Sequence, residues 1–257
     1  MQFRAFDIND CEGLILAHSH RLAGKRIAKG SQLTRTLIDA FIQNGVQQLV
    51  CAAPDQGDLS EDGVADRLAG ELLSAGLVRT SAATGRVNFK TEAAGIIRYD
   101  RDLIKALNSV DESLTLSLVQ HNQLLNAGQM VATLKVIPYF VSEAICHHFE
   151  QVLAGKTAFH FHPLRGRQVS LIQTMDSVLQ DKVYAATEAV TEARLQQLGC
   201  RLISRQRCAH NSVDVAAEIQ AARTAGAELI LLCGCSAIAD RQDILPMAIE
   251  AVSYTHL

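Results

Sequence analysis

Apolar and polar positions follow two different rhythms along this chain. In the first, residues 34–44 (TRTLIDAFIQN) place Leu37, Ile38, Phe41 and Ile42 at helical spacing, with Thr34 as N-cap and Gly45 just past the end. The next stretch, VQQLVCAA, reads as a strand. Residues 59–74 read as a second helix, capped by Ser60, with acids in the first turn where the helix dipole favours them. From 77 to 136 the pattern changes to short β-prone runs: LVRTSAATGRVNF, AAGIIRY, LTLSLVQ and GQMVATLKVI. One short helix, RDLIKALNS, interrupts them, and residues 141–153 are again helical, with Gly155 following.

The second rhythm begins after PLRGRQVS, where Pro163 and Gly166 mark a boundary. Strand QVSLIQT, helix DKVYAATEAVTEARLQQLG, strand CRLISRQRC, helix SVDVAAEIQAARTAG and strand AELILLCG follow with short joints. Gly199 and Gly226 stand where C-terminal caps belong, and Val183, Ala186, Val190 and Ala193 form one stripe on the first helix. Such alternation predicts a parallel sheet flanked by helices, joined by right-handed crossovers. The expected class is α/β: a β-rich α+β region over 1–165, then a three-layer α/β domain over 166–257 with a mainly parallel sheet.

Composition narrows the function classes. A length of 257 residues suits two domains. The net charge of −3 leaves no footprint for nucleic acid. No apolar run is long enough to span a bilayer, and the polar start MQFRAFDIND is unlike a signal peptide, so the chain reads as cytoplasmic. Seven cysteines, an odd number in a chain this long, point to reduced thiols. Cys233 and Cys235 form a C-x-C pair without a second Cys/His pair to complete a zinc site, and read as small residues at a strand end.

Ligands of open parallel sheets bind beyond the carboxyl ends of the strands. Two segments fall there. QTMDSVLQDK carries Thr174, Asp176, Ser177, Asp181 and Lys182; CGCSAIADRQD carries Gly234, Ser236, Asp240, Arg241 and Asp243. Small residues let a ligand approach the backbone, amides in such a turn cradle phosphate, carboxylates hold Mg²⁺ together with substrate phosphates, and arginine clamps phosphate as a fork. The same residues also suit a polar loop with capping aspartates. His18 with His20, and His160 with His162, are spaced for one face of an extended segment but read as surface residues, and His147 and His148 as structural. Thr84, Gly85, Arg86 and Asn88 (TGRVN) bring hydroxyl, amide and guanidinium donors together, in either a hairpin turn or an anion-binding turn.

The stretch GCSAIADRQDILP resembles the Thr-Gly-Gly-Thr-Gly…Arg-Asp-x-x-Pro segment of the molybdopterin-binding domain in molybdenum-cofactor biosynthesis proteins. Asp243 and Pro246 stand at its Asp-x-x-Pro spacing, Arg241 is one place off, and Gly234, Cys235, Ser236 and Ala237 replace the glycine- and threonine-rich turn. EGLILAHSHRLAGKRIAKGSQL, TGRVNFKTEAAG and AGQMVATLKVIP resemble a subfamily associated with molybdenum hydroxylases. This resemblance, to molybdopterin molybdotransferases, extends from about Phe3 to Ala251. It implies a β-rich accessory region followed by the pterin-binding α/β domain, with Mg²⁺ and molybdate taking part. Asp243, assisted by Asp240 and Arg241, would lie beside the phosphate or metal, and the 234–237 loop would contact the pterin phosphate. Thr174 and Asp176 match the family's Ser-Thr-Gly-Asp turn loosely, with Met175 in the glycine's place.

The altered glycines weaken the case for catalysis more than for binding. Two roles follow: a protein supporting Mg-dependent molybdenum insertion, or a non-catalytic carrier serving a molybdenum hydroxylase. A generic nucleotide-binding α/β protein is a third reading, and a homo-oligomer is compatible with the family. The final SYTHL differs in character from the rest, so the sequence leads one to expect an α/β domain cut short near Ala251, with later strands and a second ligand loop missing.

Overall fold

A computed structural model describes residues 1–22, 24–176 and 180–252, and the chain forms two compact units, 1–163 and 164–257. In the first unit the strands are β1 (Gln2–Asp7), β2 (Ile15–Leu16), β3 (His20–Leu22), β4 (Lys25–Ile27), β5 (Gln48–Ala53) and β6 (Asp58–Ser60). They continue as β7 (Leu77–Arg79), β8 (Arg86–Thr91), β9 (Gly95–Tyr99), β10 (Leu114–Leu118), β11 (Leu124–Leu125), β12 (Met130–Val136), β13 (Phe140–Ser142) and β14 (Phe159–Pro163). Its helices are α1 (Arg35–Gln43), α2 (Glu61–Leu72), α3 (Arg101–Asn108) and α4 (Glu143–Leu153).

Every described strand pair in this unit is antiparallel. The strand orders are β1-β5-β2, β10-β12-β8-β7, β11-β9-β14, β13-β6 and β3-β4. Local chemistry sets the helix starts as expected: the Thr34 hydroxyl accepts from the Leu37 amide and the Ser60 hydroxyl from that of Gly63. The fourth helix starts later than its periodicity suggests, because Phe140–Ser142 pairs with β6 first. Two apolar clusters hold the unit. Ile8, Leu16, Leu33, Ile38, Phe41 and Leu49 form one, and a larger one gathers Leu68, Leu72, Val87, Phe89, Leu107, Leu134, Phe149 and Phe159.

The second unit contains the parallel sheet, with β15 (Gln168–Met175) between β16 (Arg201–Ala209) and β17 (Leu229–Cys233). The chain is therefore mixed α/β, and its sheets are mostly antiparallel; parallel pairing is confined to these three described strands. Six consecutive residues of the central strand, Val169–Thr174 in number 169–174, are buried, as a strand covered on both faces requires. Helix α6 (Ser212–Thr224) and helix α7 (Ile244–Val252) cover one face, where Ile172 packs with Val215, Ile219, Leu245 and Ala248. Helix α5 (Asp181–Gln197) covers the other: the buried Gln173 amide donates to the Tyr184 carbonyl and, at 2.9 Å, to Glu188, which also pairs with Arg207 of β16 at 2.9 Å.

That polar seam corrects the sequence reading of α5. Its inward residues are Tyr184, Glu188 and Leu195, whereas the expected stripe of Val183, Ala186, Val190 and Ala193 faces solvent. Apolar periodicity misplaced the buried face because the sheet surface beneath offers Gln173 and Arg207, which select a carboxylate on the helix.

Candidate functional site

The carboxyl ends of the three parallel strands bring together three side chains. Thr174 ends the buried run of the central strand, His210 follows β16 directly, and Ser236 lies in the loop after β17. The His210 ring bridges the other two: Nδ1 lies 2.8 Å from the Thr174 hydroxyl and Nε2 lies 3.1 Å from the Ser236 hydroxyl. Thr174 Oγ1 also accepts the Cys235 amide at 3.0 Å, so one hydroxyl ties the strand end to the loop as well as to the imidazole. With both ring nitrogens engaged, the imidazole is fixed in place.

The loop itself is shaped by Gly234 and Asp243. A side chain at Gly234 would bring its Cβ to 2.9 Å from the Ser236 carbonyl oxygen and 3.1 Å from Leu245, so only glycine fits the turn. Asp243 Oδ2 accepts the amides of Ala239 and Asp240, the latter at 3.1 Å. These two bonds, with the nearby His210, hold the Asp243 carboxyl below its ordinary range, although slight burial opposes them. Asp240, exposed on the same loop, accepts the Gln242 amide at 2.6 Å. Among the described residues the amides of Ser236, Ala237 and Ile238 find no acceptor, and Arg241 is exposed without an ion pair. Free amides, a hydroxyl and a guanidinium on one loop, beside the His210 imidazole that holds the hydroxyl, are a set of donors suited to an anion.

The structure thus gathers Thr174, Gly234, Cys235, Ser236, Ala237, Asp240, Arg241 and Asp243 at one end of the sheet. A narrow cleft of about 30 Å³ opens between His210, Ser236–Ile238 in number 236–238, and Asp243. Asp176 is exposed just beyond β15, with its amide 3.4 Å from the Tyr184 hydroxyl, and Ser177 lies outside the described residues. Asp181 pairs with Arg207 at 3.4 Å and belongs to the α5 seam. Cys233 is half-buried, and burial pushes its thiol up.

A Mg²⁺ ion is ordinarily held by one or two carboxylates plus substrate phosphates. Here the amides of the loop already use Asp243 Oδ2 and one oxygen of Asp240. No three His, Cys, Asp or Glu side chains converge among the described residues. The described residues do not by themselves build a resident site for the ion.

His210 is the site residue that sequence reasoning missed. It sits in CAHNS, which fits no motif, and only its place directly after a strand of the parallel sheet marked it. Among the described residues the other histidines share no common centre: His18 stacks edge-on against Phe3 and His20 against Phe41, while His147 joins the Arg67–Glu150 pair. His160 and His162 lie exposed on β14. No helix among the described residues is long and apolar enough to cross a membrane. Comparison with protein families and with curated proteins finds no match to the chain.

Proposed function

We propose that this protein binds molybdopterin, or its nucleotide-activated form, through the strand-end site of its second unit, within molybdenum-cofactor biosynthesis. The observation that carries the reading is the Thr174–His210–Ser236 chain, which stands beside unpaired loop amides at the carboxyl ends of three parallel strands. The resemblance of the 234–246 segment and of three first-half motifs supplies the identity of the ligand. The cleft, about 30 Å³, admits no more than one edge of a phosphate. In this reading the phosphate therefore sits against His210, Ser236 and the loop amides, with Arg241 closing on it, and the pterin lies across the exposed part of the loop. Ser236 offers its hydroxyl to the phosphate, and His210, held between Thr174 and Ser236, keeps that hydroxyl in position.

Asp243 favours the carrier form of this reading over the enzyme form. Its carboxylate organises the loop by accepting two amides, which makes it a positioning residue rather than a group poised at a reacting atom. Molybdate and Mg²⁺ enter only as companions of the substrate, as the resemblance implies, and a molybdenum hydroxylase would be the recipient. A three-layer pterin-binding fold for the second unit is part of the same proposal.

The test is co-purification. The full chain, expressed in a host that makes molybdopterin and then denatured with oxidation, should release a fluorescent pterin, and His210→Ala should release little. Absence of pterin from the unaltered protein overturns the reading. Turnover of an adenylated pterin by the chain would instead favour the enzyme form.

A further inference from the structure

The first unit holds a separate cleft of about 380 Å³, built where the TGRVN turn meets the start of α2. Thr84 has φ 51°, a left-handed conformation that is costly for a β-branched residue. The turn is clamped there: the Gly85 amide donates to Asp62 at 2.7 Å, and the Gly85 carbonyl accepts the Val136 amide at 2.7 Å. A side chain at Gly85 would place its Cβ 2.5 Å from the Val136 oxygen and 2.9 Å from Glu61 Oε2. The Glu61 carboxylate is therefore wedged beside the turn and lines the cleft.

The Thr84 hydroxyl donates to the Ala83 carbonyl, whereas other polar side chains of this cleft have no hydrogen-bond partner among the described residues. Glu61 is half-buried, and among the described residues its carboxylate accepts no hydrogen bond and meets no ion pair; the same holds for the hydroxyls of Tyr139 and Ser31. Burial, then the Asp62 charge, pushes the Glu61 carboxyl up, against the pull of Lys135. Tyr139 stands over Gly30, with its ring 3.6 Å from where a Cβ would lie, and Ile137 supplies an exposed apolar wall. Lys29 stands on the rim as an exposed cation. The half-buried groups of Glu61, Tyr139 and Ser31 keep their hydrogen-bonding capacity for a ligand.

We infer that this cleft is a second ligand site, for a small molecule that presents an amidine-type pair of N–H donors on a planar heterocycle to Glu61 and an anionic group to Lys29. A carboxylate accepts such a pair through both oxygens. Tyr139 and Ile137 line the cleft and offer the ring its apolar surface, and the cleft volume falls in the range of small-molecule sites. The inference stands apart from the strand-end site and does not depend on it.

Guanosine 5′-monophosphate is the probe, because its base carries the N–H pair and its phosphate the charge. Isothermal titration of the full chain should show that it binds more tightly than inosine 5′-monophosphate, which lacks the amino group. Glu61→Gln should weaken it roughly tenfold or more, the loss of a charged hydrogen-bond pair. Lys29→Ala should remove the advantage of the monophosphate over guanosine, and His210→Ala should change nothing here. Glu61→Gln is expected to unfold at the same midpoint as the parent; if it fails to fold, the Lys29→Ala comparison decides. Equal affinity for the two nucleotides, an effect of His210→Ala, or stronger binding of free arginine than of the nucleotide overturns the proposal.

Discussion

His210 Nε2 lies 3.1 Å from the hydroxyl of Ser236, a residue 26 positions later in the chain. The contact exists because parallel pairing places the residue after β16 and the loop after β17 on either side of the end of β15, where Thr174 holds the ring from its other nitrogen. Fold and site are joined at that imidazole.

Thr174 should matter for stability as well as for binding. It is 1% exposed, and its hydroxyl accepts the Cys235 amide. Thr174→Val keeps the shape and leaves that amide and the imidazole Nδ1 without a partner, a loss of about 1–3 kcal/mol. Urea unfolding of the variant should show a lower midpoint with an unchanged slope. An unaltered midpoint would mean the hydroxyl does not organise the site.

Gly234→Ala should act on the loop rather than on the whole fold. The added methyl meets the Ser236 oxygen and Leu245, so the 234–237 turn must shift. Weaker pterin retention with nearly parental thermal unfolding is expected; a large drop in unfolding temperature with full retention would contradict the assignment of the loop to the ligand.

How much of this was legible in the sequence depends on the range of the interaction. Caps at Thr34 and Ser60, the three strands of the parallel sheet and the loop from Gly234 to Asp243 are local patterns, and periodicity and turn chemistry reveal them. The antiparallel sheets of the first unit were legible as β-prone runs but not as pairings: β12 lies between β8 and β10, a choice made by side chains far apart in sequence. The buried face of α5 was misread because Gln173 and Arg207, on other elements, decide it. His210 was missed for the same reason, since its partners lie 36 and 26 residues away.

Acid should weaken the first unit through Glu150. The Arg67 guanidinium, with His147 a smaller influence, holds the Glu150 carboxyl below its ordinary value of 4.5 against the effect of burial. A carboxyl lowered on folding contributes stability above its unfolded value, and that contribution is lost as pH falls through the folded one. The unfolding midpoint should therefore drop below about pH 4.5, and Glu150→Gln should flatten that part of the profile. A profile unchanged by the substitution would show that the pair contributes nothing.

Thiol reactivity should divide the cysteines by burial. Cys11 and Cys51 are buried with their sulfurs 3.9 Å apart, and burial pushes Cys51 up to about 12. The thiolate is the reactive form, so iodoacetamide at neutral pH should spare both in the folded protein and modify Cys200 and Cys235 first. Mass spectrometry of the labelled peptides reads the order; early labelling of Cys51 would contradict the packing around it.

The most direct test of the strand-end site is an anaerobic equilibrium titration of molybdopterin into the full chain and into its His210→Ala variant. The account predicts saturable one-to-one binding, weakened roughly tenfold or more in the variant while its unfolding midpoint is preserved. No binding to the parent chain, or equal affinity in both proteins, would contradict it.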